Sequence, residues 1–524
     1  MSTGGSTRPA QGGTQPASAD ADARLLHSLG YAQELARRLG RYSNFAISFS
    51  IVCILSGGIN SLAQAIAGAG GIAIGLGWPL GVAVAGIFGV AMAQIASSFP
   101  TAGGLYHWGS ILGNRFTGWL AAWFNLLGLV TVLGSINVGT YYFMVGAFGT
   151  QLGLHDSFAT MATCLGVATL VQGLVNHYGI GLTARLTDFS GWLIFVTALL
   201  LTITCLASAT HPDYSRLWSF ANQTGLPAAN PVWPRLSPAW AFMLSLLLPV
   251  FTITGYDASA HTAEETHDAP TAVPRGILHA ILWSGVFGWL FLVAFLLMLP
   301  DLRAAADQGW NVFFWAMDQR VAAVPRYALY AMILASQFLC GLATVTSTSR
   351  MIYAFARDGG LPASSALARV SHAHRTPAAA IWTGSVLAFL FVVVTKFLEA
   401  GGTPVYSIVV SCTVIFIFCS YAIPVVLGAF ALGGPKWPRP GPFDLGRTGY
   451  RVVALLSVAA MLLVFVLGVQ PPNDMALRVT LGFLLLAGVV WLLFERRRFQ
   501  GPPIGDAIAR RQAAIAAAEA ALGD

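Results

Sequence analysis

Charged residues are scarce in this sequence. Only 9% of its 524 residues are Asp, Glu, Lys or Arg, whereas 56% are hydrophobic, and the mean hydropathy is +0.69. A soluble domain carries about 25% charged residues. This chain cannot cover itself with a polar surface, and the composition therefore predicts that its solvent is lipid.

Several sequence signals of chemistry are missing. The dipeptide Gly-Lys never occurs, which excludes a P-loop, and no loop is long enough to hold an ATPase domain. The six cysteines are scattered, and their spacing matches no zinc or redox motif. We therefore expect no cofactor, apart from a coupling ion. Lysine occurs only twice in a chain rich in Arg, Ala, Gly and Pro, which we interpret as a bacterial composition.

The two ends of the chain differ in composition from the apolar runs between them. The first 20 or so residues are rich in Gly, Ser, Thr and Pro, a composition typical of disorder, and they lack the apolar core of a cleavable signal peptide. Insertion is therefore assigned to the first apolar run. The Ala-rich stretch 509–524 predicts a short surface helix without chemistry.

Long apolar runs predict how the chain crosses the membrane. A spanning helix needs about 20 mostly apolar residues. Twelve runs qualify, near 44–68, 77–98, 116–145, 158–176, 188–209, 240–261, 280–300, 327–355, 378–398, 405–431, 451–469 and 476–494. With the N-terminus inside, 21 of the 28 Arg and Lys residues fall on the inner side, which predicts two cytoplasmic termini. The net charge of +7 then reflects topology and anionic headgroups, so we expect no nucleic-acid partner.

Two of these runs contain glycines where a continuous helix is expected. Ser56, Gly57 and Gly58 lie inside the first run, and the sixth contains FTITGYDASAHTAEET, from Phe251, with Gly255 near the middle of the run. Glycine costs a helix about 1 kcal/mol relative to Ala, and unpaired backbone groups in lipid cost several kcal/mol each. Interruptions five spans apart indicate a transporter's binding site between two inverted repeats. The alternative is that the glycines only allow close helix packing.

Asp257 is the only acid well inside a predicted span. An ionisable group there costs about 2.5–3.5 kcal/mol on insertion scales, and no Lys or Arg lies near it in sequence. We expect it to act on the ligand's positive end or on a coupled proton. The alternative is that its carboxylate caps the second half of the helix. Phe251 and Tyr256 flank the interruption with aromatic faces suited to an ammonium group.

Four stretches, in this order, carry a family resemblance: LGYAQELARRLGRYSNFAISFSIVCILSGGI (29–59), FPTAGGLYHWGSILG (99–113), GYDASAHTAEETHDAPTAVPRGI (255–277) and SRMIYAFARDGGLP (349–362). They resemble the amino acid–polyamine–organocation superfamily, in particular its amino acid/choline permease branch. The resemblance implies an all-α membrane fold of two inverted five-helix repeats, a LeuT-like arrangement, plus two C-terminal helices. We place the repeats at 43–210 and 240–431 and the added helices at 451–495. The tails would be 1–42, disordered and then a short amphipathic helix, and 496–524.

The resemblance also implies where the substrate binds and what drives its transport. The implied lining residues are Ser56, Gly57, Gly58, Ile59, Thr254, Gly255, Tyr256 and Asp257, to which we add Phe251 on chemical grounds. Transport would be driven by an ion gradient or by exchange. Several proton-coupled members carry a lysine in the fifth span, and this chain has none there, which puts that coupling mechanism in doubt.

Sodium is the alternative coupling ion. Thr344, Ser347 and Thr348 lie at one-turn spacings in the eighth run and are candidate sodium ligands. Their alternative role is hydrogen bonding to the backbone of their own helix.

These observations predict a permease in the cytoplasmic membrane. Its substrate would be an amino acid or a small amine such as γ-aminobutyrate or choline, and its other partner the bilayer. A non-transporting sensor is one alternative. A membrane enzyme is another, with His107, His177, His261 and Asp257 as its candidate groups, although no two of them have a known acid–base or metal spacing. The sequence defines neither the particular substrate nor the oligomeric state.

Overall fold

The structure is a computed structural model that describes residues 17–397, 405–470 and 473–503, together with residues 508, 510, 511, 515 and 519. The predicted disorder of the first 20 or so residues lies outside this part up to residue 16, whereas residues 17–20 lie in a helix, Ala17–Ser28. Across the described residues the chain is helical and contains no strand, only isolated bridges between Leu39 and Thr266 and between Leu432 and Trp437.

The helices follow one another along the chain, mostly with short connections, although residues 209–237 form a long one that contains the 3₁₀ turn Tyr214–Trp218. Their bounds are α1 Ala17–Ser28, α2 Arg41–Val52, α3 Ile54–Asn60, α4 Leu62–Ala69, α5 Trp78–Ser98, α6 Leu105–Leu112, α7 Arg115–Leu152, α8 Phe158–His177, α9 Ile180–Ser208, α10 Pro238–Ser245, α11 Leu247–Thr252, α12 Ala258–His261, α13 Ala269–Met298, α14 Leu302–Asp307, α15 Val312–Arg320, α16 Ala323–Arg357, α17 Ser364–Leu367, α18 Ala378–Phe397, α19 Val405–Ala431, α20 Gly446–Val469, α21 Asp474–Val490 and α22 Arg496–Arg498. Two π-helical turns, Ala73–Gly77 and Trp491–Glu495, adjoin α5 and α21.

The membrane spans agree with the apolar runs. Within the described ranges, eleven helical stretches are long and apolar enough to cross a membrane, and they coincide with eleven of the predicted runs. The sixth run is instead divided between Pro238–Thr252 and Ala258–His261. The predicted all-α membrane fold is confirmed, while the inverted relationship of its two halves stays a prediction.

Helix bounds differ from the apolar runs mainly where a helix continues into polar sequence. Helix α9 already begins at Ile180, and α13 begins at Ala269, both before the corresponding apolar run. Hydropathy detects only the segment that lipid must cover. The helix continues further because its backbone hydrogen bonds form within the helix itself and do not require apolar side chains or surrounding lipid.

The first span lies at the centre of the bundle. In its most apolar stretch 89% of the residues are buried, against 17% for the last span, Asp474–Arg498. Helices α7, α9, α13 and α16 pack around α2 and α3, whereas α20 and α21 pack at the periphery. The two interrupted spans are therefore enclosed by other helices, where freed backbone groups can find partners.

Described residues of the C-terminal tail contact the N-terminal segment and the residue that follows α16. The Arg511 guanidinium lies 3.4 Å from the Asp358 carboxylate, and Glu519 lies 2.7 Å from the His27 ring. Ile515 is buried. The sequence predicts only a surface helix here. The partners in these contacts lie far apart in the sequence, so no local pattern predicts them.

Candidate functional site

The interruption of span one differs in position from the prediction. Helix α2 ends at Val52, and Cys53 has φ 16° and ψ 83° before α3 begins. Gly57 and Gly58, which we expected to form the break, lie within α3. A Cβ on Gly57 would come within 2.8 Å of the Thr252 Cα, and one on Gly58 within 2.9 Å of the Phe291 ring. These glycines therefore allow close helix approach, and the irregular residue precedes them.

The interruption of span six lies where the sequence predicts it. Helix α11 ends at Thr252 and α12 begins at Ala258. Between them Gly255 has φ +82°, a conformation that favours glycine, and a Cβ there would lie 2.3 Å from the Ile51 side chain. Side chains from other spans bind the freed backbone. The Ser48 hydroxyl donates to the Tyr256 carbonyl at 2.8 Å, and the Gly255 N–H donates to the Tyr421 hydroxyl at 3.1 Å.

Helix α16 supplies donors to carbonyls on either side of the span-one interruption. The Gln337 amide donates to the Leu55 carbonyl at 3.0 Å, and the Cys340 thiol donates to the Ile51 carbonyl at 3.3 Å. Because buried carbonyls in a span are costly without a donor, these bonds stabilise the interruption. No sequence motif identifies Gln337 or Cys340 in this role.

A small cavity lies where the two interruptions meet. Its volume is about 20 Å³, room for about one water molecule. It is lined by Ile51, Val52, Cys53, Ser56, Gly57, Val132, Ser135, Ile136, Phe251, Thr252 and Thr254. The predicted substrate, an amino acid, does not fit this volume unless the surrounding spans move apart.

The structure brings four of the nine predicted site residues to this cavity: Ser56, Gly57, Phe251 and Thr254. Gly58 faces Phe291, and Ile59 lines a second cavity. Gly255, Tyr256 and Asp257 lie outside the cavity lining. Val132, Ser135 and Ile136 of α7 also line the cavity. The sequence does not single them out, because nothing distinguishes them from other residues of a long apolar helix.

A larger cavity lies beyond the central one, at the end of the molecule where α7 ends and α16 begins. It has a volume of about 370 Å³ and is lined by residues that include Ile59, Asn60, Asp156, Trp310 and Tyr406. The Tyr406 ring packs edge-on against Phe251, with 6.2 Å between centroids. Since Phe251 lines the central cavity and Tyr406 the outer one, this aromatic pair lies between the two spaces.

Asp257 forms a buried polar cluster with three other side chains. Its carboxylate accepts hydrogen bonds from the Tyr421 hydroxyl at 2.7 Å and the Asn125 amide at 3.1 Å, and lies 3.2 Å from the His261 Nε2. All four side chains are fully buried. The carboxylate makes no capping bond to a backbone amide, so the capping alternative is wrong. The i,i+4 pairing of Asp257 with His261 also corrects our statement that these candidates have no acid–base spacing.

Buried ion pairs close the opposite end of the bundle. Arg350 of α16 makes two 3.0 Å hydrogen bonds to Glu265. Arg357 bonds to Glu264 at 2.9 and 3.1 Å. The Leu39 N–H in turn donates to the Glu265 carbonyl at 2.8 Å, so the segment that precedes span one crosses this end. We call these two ion pairs the inner closure.

The Glu264–Arg357 pair of the inner closure stays charged near neutral pH. Burial opposes ionisation of Glu264, but the Arg357 guanidinium and its hydrogen bonds outweigh burial and lower the pKa of this carboxyl from its ordinary value of 4.5. A lowered folded-state pKa means that the stabilisation is present above the unfolded-state pKa and is lost as pH falls through the folded one. The Glu264–Arg357 pair therefore does not titrate between about pH 5.5 and 8.

The candidate sodium ligands make the bonds that we gave as their alternative. Thr344 donates to the Cys340 carbonyl at 2.9 Å, and Thr348 donates to the Thr344 carbonyl at 2.8 Å. Among the described side chains, the buried Ser347 hydroxyl has no hydrogen-bond partner. A donating hydroxyl keeps lone pairs for a cation, so sodium binding here stays a prediction.

Comparison with known proteins covers nearly the whole chain. A profile described as "Amino acid permease" matches residues 39–494. The amino-acid permease BAT1 of Arabidopsis thaliana is 31% identical over 91% of this chain and 95% of its own length. Its Oryza sativa homolog is 30% identical over 91% and 94%. The GABA-specific permease of Saccharomyces cerevisiae is 26% identical over 92% and 86%. These relatives are from plants and a fungus, and the bacterial origin predicted from composition is not borne out.

Proposed function

Because the chain belongs to the amino acid permease family, we propose that it is a secondary active transporter working by alternating access at the interruptions of spans one and six. The resemblance found in the sequence is confirmed, and the protein is a multi-pass membrane transporter and not an enzyme. The proposal concerns its substrate, its coupling and its mechanism.

The observation that carries the proposal is the meeting of two interrupted spans at one cavity. Ser56 of α3, Ser135 of α7 and Thr254 of the span-six interruption bring hydroxyls to this point. Hydroxyls and backbone amides near helix ends bind carboxylates, and freed carbonyls bind ammonium groups. The lining thus has groups for both ends of a zwitterion.

The closed ends of the bundle support alternating access. The aromatic pair Phe251–Tyr406 lies between the central cavity and the outer one, and the inner closure occupies the other end. We propose that the substrate enters from the outer cavity when the aromatic pair separates. It leaves when the inner closure opens. With both termini cytoplasmic, as the excess of inner Arg and Lys indicates, the outer cavity faces outward.

The proposed substrate is an amino acid or a small amine-bearing solute such as γ-aminobutyrate or choline. The Phe251 ring offers an aromatic face to an ammonium group. The name of the yeast relative points in the same direction, since it is called a GABA-specific permease. Coupling would be to a proton or sodium gradient, or by exchange with a second solute.

Counterflow tests the proposal directly. The purified full chain is reconstituted into liposomes preloaded with one unlabelled solute from a panel of the proteinogenic amino acids, γ-aminobutyrate and choline. Entry of the same labelled solute is then measured without any ion gradient. We expect at least one solute to exchange well above protein-free liposomes, and the variant Ser135→Leu, which fills the cavity, to lose more than 90% of this exchange.

The matched control is Thr163→Leu, which places the same side chain on an exposed position of α8 and should exchange like the wild type. Absence of exchange for every solute in the panel would favour a non-transporting sensor. Normal exchange by Ser135→Leu would exclude the central cavity as the transport path.

A further inference from the structure

The hydrogen bonds of His261 require one proton more than a neutral imidazole carries. Its Nδ1 lies 3.2 Å from the Ala102 carbonyl oxygen, and its Nε2 lies 3.2 Å from the Asp257 carboxylate. The Ala102 peptide is held in place because its N–H donates to Glu264 at 3.0 Å. Both ring nitrogens therefore face oxygen acceptors.

A neutral imidazole has one donor and one acceptor nitrogen. If Nδ1 donates to the Ala102 carbonyl, Nε2 is an acceptor facing a carboxylate, and two acceptors at 3.2 Å repel each other. If Nε2 donates instead, Nδ1 is an acceptor facing the Ala102 carbonyl oxygen, and these two atoms repel each other. The geometry is satisfied only when the Asp257–His261 pair holds one additional proton, as imidazolium with carboxylate or as imidazole with carboxylic acid.

We propose that Asp257 and His261 form the proton-binding site through which this transporter couples solute movement to a proton gradient. This inference rests on the proposed function and specifies its coupling ion. It needs no lysine in the fifth span, the position where the sequence departs from proton-coupled members of the superfamily.

The proton site is physically connected to the solute site. The Tyr421 hydroxyl accepts from the Gly255 N–H, inside the span-six interruption, and donates to Asp257. Asn125 of α7 supplies a third donor. Donors to the carboxylate thus come from α7, α12 and α19. If the interruption rearranges around a solute, these donors shift, and the affinity of the pair for its proton changes with them.

The ionisable groups around the pair do not supply this proton. The phenols of Tyr256 and Tyr421 are neutral near pH 7. The ion pairs Glu264–Arg357 and Glu265–Arg350 on the neighbouring elements are matched in charge. His107 and Asp358 face each other at 3.3 Å in a separate cluster with Tyr31. Asp257 and His261 therefore have no other charged partner among the described residues.

The step is balanced in charge. One proton from the outer solution binds to the pair when the site faces outward, and the same proton leaves when the site faces inward. One positive charge therefore crosses with each solute molecule, in addition to the charge of the solute itself. No oxidant, reductant or metal takes part.

The test uses the reconstituted full chain with a pH-sensitive dye, pyranine, inside the liposomes and sodium-free buffer throughout. Whichever panel solute shows the largest counterflow is added outside. We expect the lumen to acidify by about one proton per solute taken up, and an inward pH gradient to drive accumulation of the solute. Asp257→Asn and His261→Asn should keep counterflow within about tenfold of the wild type and lose both proton entry and pH-driven accumulation.

The matched control is His177→Asn, a histidine at the end of α8 outside the cluster, which should keep proton entry. Wild-type counterflow without proton entry would overturn the inference and leave the proposed function intact, whether or not the variants fold. Proton entry that persists in either Asp257→Asn or His261→Asn would also overturn it. Absence of counterflow for every solute would contradict the proposed function instead.

Discussion

The glycines in the membrane spans of this protein differ in how closely other atoms approach them. Gly57 faces the backbone of Thr252, and a Cβ there would lie within 3 Å of three atoms of that residue. A Cβ on Gly86 of α5 would meet no atom of another helix within 4 Å in the part of the chain that the structure describes. The same residue type is therefore required by packing at one position and free to change at another.

Gly57→Ala should lower the thermal stability of the purified protein, because a backbone atom cannot move aside as a flexible side chain can. Overpacking of this kind costs about 1–3 kcal/mol. It should also reduce counterflow at least tenfold, since Gly57 lines the central cavity. Both effects are measured on detergent-purified and reconstituted protein.

Gly86→Ala is its control. Alanine is better than glycine in a helix by about 1 kcal/mol, so this variant should melt at the wild-type temperature or above and transport normally. Equal melting temperatures for the two variants would show that the close approach of α3 to Thr252 contributes nothing to stability.

A buried ion pair connects two of the spans at the inner end of the bundle. Glu265 lies in the loop after α12, and its partner Arg350 lies in α16, so the pair connects spans six and eight. Breaking a buried pair costs about 3–5 kcal/mol because the remaining charge is left without a partner. An exposed pair such as Arg478–Asp474 is worth about 0–1 kcal/mol.

Glu265→Gln should therefore destabilise the closed inner end and expose the central cavity to the cytoplasmic side. Cys53, which lines that cavity and is buried, is a native reporter. We expect a membrane-impermeant thiol reagent to modify Cys53 in inside-out vesicles at least tenfold faster in this variant than in the wild type, as measured by peptide mass spectrometry.

Asp474→Asn, in the exposed pair, should leave the rate of Cys53 modification unchanged. If Glu265→Gln also leaves it unchanged, the Glu265–Arg350 pair does not control access to the cavity.

At the scale of the whole molecule, the two ends of the bundle have different chemistry. One end carries the inner closure, the N-terminal segment and the docked tail residues Arg511 and Glu519. The other end carries the aromatic pair and the outer cavity. The Arg and Lys content of the loops predicts that the first of these ends faces the cytoplasm.

A cysteine placed at Ser365, in the short helix α17, tests this orientation. In intact cells it should resist a membrane-impermeant reagent, whereas a cysteine at His211, in the loop after α9, should be modified. Both positions are exposed, so a difference between them reports the side of the membrane. The reverse pattern would invert the proposed topology.

The sequence by itself determined that lipid surrounds the chain, where the membrane spans lie and where one of the two interruptions falls. Hydropathy is a property of neighbouring residues, so twelve apolar runs were sufficient to locate the membrane segments. Gly255 also carries a local signal, because few other residues adopt φ +82°. The stretches of family resemblance are local in the same sense, and they predicted the family correctly.

Only the tertiary structure decided what the polar groups inside the membrane do. Asp257 takes its donors from Asn125, 132 positions earlier, and from Tyr421, 164 positions later. Span one breaks at Cys53, where Gln337 and Cys340 of α16 can bind the carbonyls on either side, and not at the glycines. Partners so distant in sequence leave no periodic or compositional pattern. In lipid, moreover, each buried polar group is stabilised by whichever partner the packing brings within hydrogen-bond distance.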